Sequence, residues 1–145
     1  MSGSAAKSLG AALAGEHAAV YAYGVLGVRL TDNSLATAAR SAEAAHRARR
    51  ESLMAALAGL GTPGPAANAG YQLPFPVTDS ASAIKLAVQV EEKAAALWRA
   101  ALADTDGEQR RTALDALVDC AVRATTWRRA GSITPLTTTY PGRPV

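Results

Sequence analysis

The sequence predicts an all-α protein built as a four-helix bundle, and three observations support this fold class. Alanine supplies 35 of the 145 residues and aromatic residues only 5%, while runs of strand-favouring residues are scarce. All seven prolines fall in two clusters, one in the middle of the chain and one at its end, which leaves two long stretches free to be helical. Each of these stretches is interrupted once by residues that cap helices.

The interruptions divide the chain into pairs of helices. Thr31–Ser34 ends the first helix and caps the second, while Asp104–Gly107 separates the third helix from the fourth. A segment rich in Gly, Pro and Ala joins the pairs and is long enough to run the length of a bundle. We therefore expect two αα-hairpins joined by a long Gly/Pro-rich crossover. The predicted boundaries within one domain, 1–145, are helices at about 5–30, 34–60, 80–104 and 108–130, a crossover at 61–77 and an irregular tail at 131–145.

Composition and charge exclude several classes of protein. With 15 Lys and Arg against 12 Asp and Glu the net charge is +3, and no stretch of about 18 uninterrupted apolar residues predicts a membrane span. Cys120 is the only cysteine, which excludes an internal disulfide and a multi-cysteine zinc site. This lone cysteine and a polar N-terminal region predict a cytoplasmic protein.

Two carboxylates interrupt the apolar seams of the first and third predicted helices at matching positions. Glu16 lies at the centre of the first seam, and Glu91 lies 75 residues later at the centre of the third. Its neighbour Glu92 points about 100° away and is the weaker candidate. The two central carboxylates predict a polar site inside the bundle.

The second predicted helix adds Glu43 and His46, whose spacing of three residues can aim both side chains inward. Helical bundles hold two iron or manganese ions with one carboxylate from each of two helices and Glu-x-x-His from each of the others. On the fourth helix Asp119 aligns with Glu43, but Val122 stands where a second histidine is needed. One half of a di-metal site is therefore present and the other is degenerate.

The apolar arc that is predicted to face the core on the fourth helix consists of Leu114, Leu117, Val118, Ala121 and Thr125.

The same carboxylates also allow an interpretation without metal. A buried, unpaired carboxylate costs several kcal/mol or takes up a proton, so Glu16 and Glu91 would then need partners. Tyr23, Arg50 and His46 are candidates for these partners.

The remaining side chains with possible chemistry are expected to have structural roles. These are His17 as a contact residue or spare ligand, Tyr23 and Trp98 as core packing, and Cys120 as a buried thiol.

A partner surface is expected on the third predicted helix, where Leu86, Val90 and Leu97 form a second apolar stripe. Such a helix is either sandwiched inside the protein or contacts a partner. Because four helices around one core leave this side outward, we expect a homodimer. The arginines do not predict a nucleic-acid interface, since they are spread over several faces among acidic residues.

Four segments carry a family resemblance: AGEHAAVYAYG at 14–24, AHRARR at 45–50, YQLPFP at 71–76 and ALDALVD at 113–119. They resemble the ferritin-like superfamily, in particular a bacterial, largely actinobacterial ferritin-like family of unknown function. The resemblance implies a ferritin-like bundle with metal-ligand roles for Glu16, Glu43, His46 and Glu91, but no known activity. Two hypotheses follow: a bundle with a degenerate di-metal centre and no enzymatic activity, or an iron- or manganese-binding oxidoreductase of the ferroxidase type.

Overall fold

The computed structural model describes residues 2–143, and this part of the chain contains four α-helices and no strand. The all-α class and the division into four helices are confirmed. The helices are α1 (Ser2–Gly27), α2 (Asn33–Gly59), α3 (Ser80–Asp104) and α4 (Gly107–Ala130).

Capping side chains fix the starts of two helices. Asp32 accepts hydrogen bonds from the backbone N–H groups of Ser34 and Leu35 at the start of α2, and Asp79 forms a capping box with Ser82 at the start of α3. The first helix ends three residues before the predicted boundary of about residue 30. α1 ends at Gly27, because the following residues form a tight turn in which the N–H of Arg29 bonds the carbonyl of Leu26.

Helix α1 packs on α2 and α3, and α3 packs on α1 and α4. Contacts at both ends show that α1 and α3 are antiparallel: Ser8 bonds the carboxylate of Asp104, and the Ser80 hydroxyl donates to the carbonyl of Arg29 at 3.0 Å. Many of the contacting residues are alanines, whose small side chains let helix backbones approach closely. Fully buried examples are Ala12, Ala42, Ala83, Ala87, Ala101 and Ala113.

The inward face of α4 differs from the predicted one. Its buried residues are mostly small, whereas three of the larger aliphatic residues on this helix are exposed. The predicted arc that included Leu114 and Val118 is therefore wrong: the helix is rotated so that its smaller residues fit close to α3. The buried residues of α4 are Ala113, Ala116, Cys120, Ala124 and Trp127.

The second apolar stripe of α3 is covered within the chain. Leu86 is buried, Val90 and Leu97 are half-buried, and Leu97 packs on the backbone of Gly15 in α1. Leu73, from the segment that connects α2 to α3, packs beside the first two. The expectation that this stripe faces outward is wrong because the connecting segment lies over it, so the homodimer stays a prediction without that support.

None of the described helices is long and apolar enough to cross a membrane.

Candidate functional site

Glu16, His46 and Glu91, predicted on three different helices, meet at the centre of the bundle. Nδ1 of His46 bonds Oε2 of Glu16 at 2.5 Å, and Nε2 lies 2.9 and 3.0 Å from Oε2 and Oε1 of Glu91. All three side chains are at most 1% exposed. The imidazole ring thus lies between the two carboxylates and uses both of its nitrogens to bind them.

Three aromatic side chains extend this cluster. Trp98 Nε1 donates to Oε1 of Glu16 at 2.8 Å, and the Tyr23 hydroxyl donates to Oε2 of Glu91 at 2.6 Å. Trp127 Nε1 in turn donates to the Tyr23 oxygen at 2.9 Å. Tyr23 and Trp98 are therefore hydrogen-bond donors to the two carboxylates as well as residues of the packed core. We call the six side chains, which come from all four helices, the core network: Glu16, Tyr23, His46, Glu91, Trp98 and Trp127.

The contacts of both ring nitrogens favour a charged imidazole at His46. A neutral imidazole can donate from only one nitrogen, yet both nitrogens of His46 face carboxylate oxygens. Burial alone lowers the pKa of His46, but hydrogen bonds to Glu16 and Glu91 and the charges of both carboxylates raise it to about 9. The ring is therefore an imidazolium at neutral pH.

Tyr23 keeps its proton in this environment. Burial and the neighbouring charge of Glu91 raise the pKa of Tyr23 well above its ordinary value. The hydroxyl remains a hydrogen-bond donor to Glu91 at any pH at which the protein is normally handled.

A second cation lies beside the network. Arg49, one turn after His46 on α2, forms an ion pair with Asp119 of α4 and reaches to 3.8 Å from the Cys120 sulfur. Burial lowers the pKa of Arg49, but the hydrogen bond to Asp119 and the charges around it, including that of Glu16, raise it overall. The cation beside the network is Arg49 and not the predicted Arg50. The spacing of three residues between His46 and Arg49 was the available signal.

The other predicted ligands lie outside the core network. Glu43 pairs with Arg47 at 2.7 Å on the outer side of α2, and Asp119 pairs with Arg49 and Arg123 at the edge of α4. On α4 it is the next residue, Cys120, that faces the core.

The two weaker candidates are also separate from it. Glu92 forms an ion pair with Arg128, so Glu91, as predicted, is the carboxylate at the centre. His17 is buried against the connecting segment, where its Nε2 donates to the carbonyl of Pro65 at 3.0 Å.

The residues at the centre do not fit a di-metal site. The donor types of Glu16, His46 and Glu91 suit iron or manganese, but a histidine ligand must offer a nitrogen without a proton, and both nitrogens of His46 lie at hydrogen-bond distance from carboxylate oxygens. Within residues 2–143 no group of three His, Cys, Asp or Glu side chains is placed to hold a metal ion. The ring of His46 lies between the two carboxylates, with its nitrogens 2.5 to 3.0 Å from their oxygens.

The sequence matches a family of proteins whose function is unknown. The model of a family described as a domain of unknown function, DUF4439, matches residues 8–145. A similar solved structure is that of a conserved hypothetical protein, rv2844, from Mycobacterium tuberculosis. It is 38% identical, the match covers 88% of this chain and 98% of that one, and the TM-score is 0.83. No curated protein matches this chain.

Proposed function

This chain belongs to the DUF4439 family, whose function is unknown, and we propose that it is a metal-free, non-enzymatic ferritin-like bundle. In this proposal the core network replaces a di-metal centre, and the protein acts through its surface as an interaction protein. The antiparallel contact of α1 with α3 is the arrangement expected if α1–α2 and α3–α4 are two hairpins joined by a crossover.

The observation that carries the proposal is the position of His46 between Glu16 and Glu91. Two carboxylates in an apolar core need nearby positive charge, because each unpaired charge would cost several kcal/mol. In a di-metal protein the ions supply that charge. Here the imidazolium of His46 supplies it by direct hydrogen bonds, and the guanidinium of Arg49 adds to it from the side.

The fourth helix supports the same interpretation. A complete site needs a Glu-x-x-His pair from this helix, but α4 directs Cys120 and Trp127 toward the network. The thiol of Cys120 is protonated, because burial and the charge of Glu91 raise its pKa, so it is a poor metal ligand. The indole of Trp127 can only donate a hydrogen bond.

An iron- or manganese-binding function is the competing hypothesis, favoured by the convergence of two carboxylates and one histidine. It would require His46 to lose its proton and turn away from one carboxylate. Glu43 would also have to leave Arg47 and turn inward. We expect neither change, since both break hydrogen bonds already formed. A cytoplasmic location and a homodimer remain expectations of the proposal.

Metal analysis of protein purified without a metal-binding tag tests the proposal. We expect less than about 0.1 iron or manganese per chain, even after anaerobic loading with ferrous or manganous ions. Nitrogen-15 NMR of the histidine ring should show both nitrogens of His46 protonated at pH 7. Stoichiometric metal that is lost in a Glu16→Ala, Glu91→Ala variant, but kept in a control variant Glu92→Ala, would overturn the proposal.

A further inference from the structure

A cleft lies between α1, α3 and the segment that connects α2 to α3. Its floor is formed by Gly15, Ala18, Ala19 and Ala22 of α1, and the small size of these residues leaves a volume of about 620 Å³. We call it the α1–α3 cleft. Clefts of roughly 300–1,000 Å³ are typical of binding sites for small molecules, so this cleft is large enough for an organic ligand.

The wall opposite α3 belongs to the connecting segment and is held in place. The ring of Tyr71 packs against that of Tyr21, with 5.4 Å between their centroids, and its hydroxyl accepts a hydrogen bond from the backbone N–H of Asn68 at 3.0 Å. Leu73 packs against the buried core beside α3. The cleft is therefore already formed, and a ligand would not have to order this wall.

The lining is largely apolar but includes polar side chains without a partner. Leu73 and Val90 add apolar surface to the floor of small residues. Gln72, Gln89 and Lys93 also line the cleft, and none of these three side chains forms a hydrogen bond or an ion pair within residues 2–143. Their N–H groups are free to bind a ligand.

The charged residues around the cleft leave a positive balance. Lys93 lines the cleft, and Lys85 lies two turns earlier on the same side of α3. Glu92 also lines the cleft but is ion-paired with Arg128 of α4. Asp79, at the start of α3, is about 20 Å along the helix axis from Lys93 and lies nearer to Lys85. The ammonium of Lys93 is therefore the charge that a ligand in the cleft meets.

This lining selects the class of ligand. The floor on α1 and the segment 61–78 contain no charged residue, so nothing there offsets Lys93. A cation would be repelled, and a neutral apolar molecule would cover the ammonium without giving it a partner, which costs free energy. A small inorganic anion would leave the apolar lining in water. A carboxylate with an apolar body pairs with the ammonium and also covers the lining.

We propose that the α1–α3 cleft binds a small amphiphilic carboxylate. Its apolar body lies on the alanines of α1, and its carboxylate accepts hydrogen bonds from Lys93 and from the amides of Gln72 and Gln89. The inference goes beyond the proposed function, because the cleft is separate from the core network and its ligand is a small molecule.

The test uses hydrocinnamate, which carries a phenyl ring and a carboxylate, and follows the amide signals of isotope-labelled protein by NMR. Hydrocinnamyl alcohol keeps the ring without the charge, and acetate keeps the charge without the ring. We expect hydrocinnamate to shift the amides of Ala18, Ala19 and Ala22 and to bind at least about tenfold more tightly than either control.

Substitutions separate the charge from the floor. Lys93→Gln should weaken hydrocinnamate binding at least about tenfold and leave that of the alcohol unchanged. Lys7→Gln, which removes an exposed lysine of α1, should change neither. Ala18→Leu fills the floor and should weaken the binding of both compounds, whereas Ala14→Leu, at an exposed position one turn earlier, should not. Circular dichroism should be the same for all four variants.

Several results would overturn the proposal. One is equal affinity of the native protein for hydrocinnamate and its alcohol, and another is an unchanged affinity for hydrocinnamate in Lys93→Gln. Amide shifts confined to α4 would place the ligand elsewhere, and an absence of saturable binding would leave the cleft without this ligand. None of these measurements depends on the metal content of the core, so failure here is distinguishable from failure of the metal-free proposal.

Discussion

Nδ1–H of His46 on α2 donates to Oε2 of Glu16 on α1 across 2.5 Å, and both side chains are excluded from water. The bond joins charged groups of opposite sign, and the same ring is bound to Glu91 on α3. Three helices of an alanine-rich bundle are therefore tied together through one imidazole. A complete buried ion pair of this kind stabilises the folded state little more than apolar side chains of similar size would. Removing one partner is strongly destabilising, because it leaves an uncompensated charge in the core.

The first prediction concerns the loss of that imidazole. We expect His46→Leu to lower the free energy of unfolding by about 3–5 kcal/mol, because Glu16 and Glu91 then face each other in the core without a cation between them. Urea denaturation followed by far-ultraviolet circular dichroism measures this loss. Glu43→Ala is the matched control on the same helix: its partner Arg47 is at the surface, so we expect a change within about 0.5 kcal/mol. Equal effects of the two substitutions would contradict the positions described here.

The second prediction is that stability falls as the pH rises above neutrality. His46 has an ordinary pKa of 6.5 when unfolded and about 9 when folded, so only the folded state holds this proton between those values. Stability from this group is complete below pH 6.5 and is lost as the pH rises through about 9. The whole loss amounts to about 3 kcal/mol.

Urea midpoints at pH 6 and at pH 9.5 measure this pH dependence. In His46→Gln the group that titrates is absent, so the difference between the two pH values should shrink by about 3 kcal/mol relative to the native protein. An unchanged difference would assign the pH dependence to another group.

The sequence predicted the centre of the site better than its edges. Glu16, Glu91 and His46 lie in the middle of apolar seams. A polar residue at the centre of the apolar face of a helix must face the core, because its neighbours on that face are buried there. Glu43 lies at the margin of its seam, where an arginine four residues later offers an ion pair at the surface. Periodicity alone does not choose between these two orientations.

The inward face of the fourth helix differs from the predicted one for a physical reason. Hydrophobic periodicity assumes that the largest apolar residues face inward, but α4 packs closely on α3 through alanines and a cysteine and leaves Leu114, Val118 and Val122 outside. Asp119 and Cys120 are adjacent in sequence, so an error of one position in the rotation of this helix exchanges the surface residue for the core residue. The rotation depends on packing against α3, which no local pattern encodes.

The third prediction concerns the reactivity of Cys120. The thiol is fully buried, and burial together with the charge of Glu91 raises its pKa, so the thiolate that reacts with disulfide reagents is scarce and inaccessible. We expect Ellman's reagent to label the native protein at least about 100-fold more slowly than the protein unfolded in urea. A Cys120→Ser, Val118→Cys variant supplies the exposed control on the same helix and should react quickly when folded. Rapid labelling of native Cys120 would contradict its burial.

The last prediction tests how the segment after α4 is attached to α3. Gly142 has φ +77°, and a Cβ there would lie 2.6 Å from the backbone oxygen of Ala95. Gly61 has a similar φ of +70° with open space around it. We expect Gly61→Ala to cost about 1 kcal/mol, the strain of a left-handed alanine alone. Gly142→Ala should cost more, or should release the segment from α3, because a helix backbone cannot move aside.

Hydrogen exchange at the amide of Arg143 reports this release, because the amide donates a hydrogen bond to the carbonyl of Tyr140 at 3.1 Å. Its exchange rate should increase in Gly142→Ala and stay at the native value in Gly61→Ala. Equal exchange rates and equal stabilities in the two variants would show that the segment does not lie against Ala95.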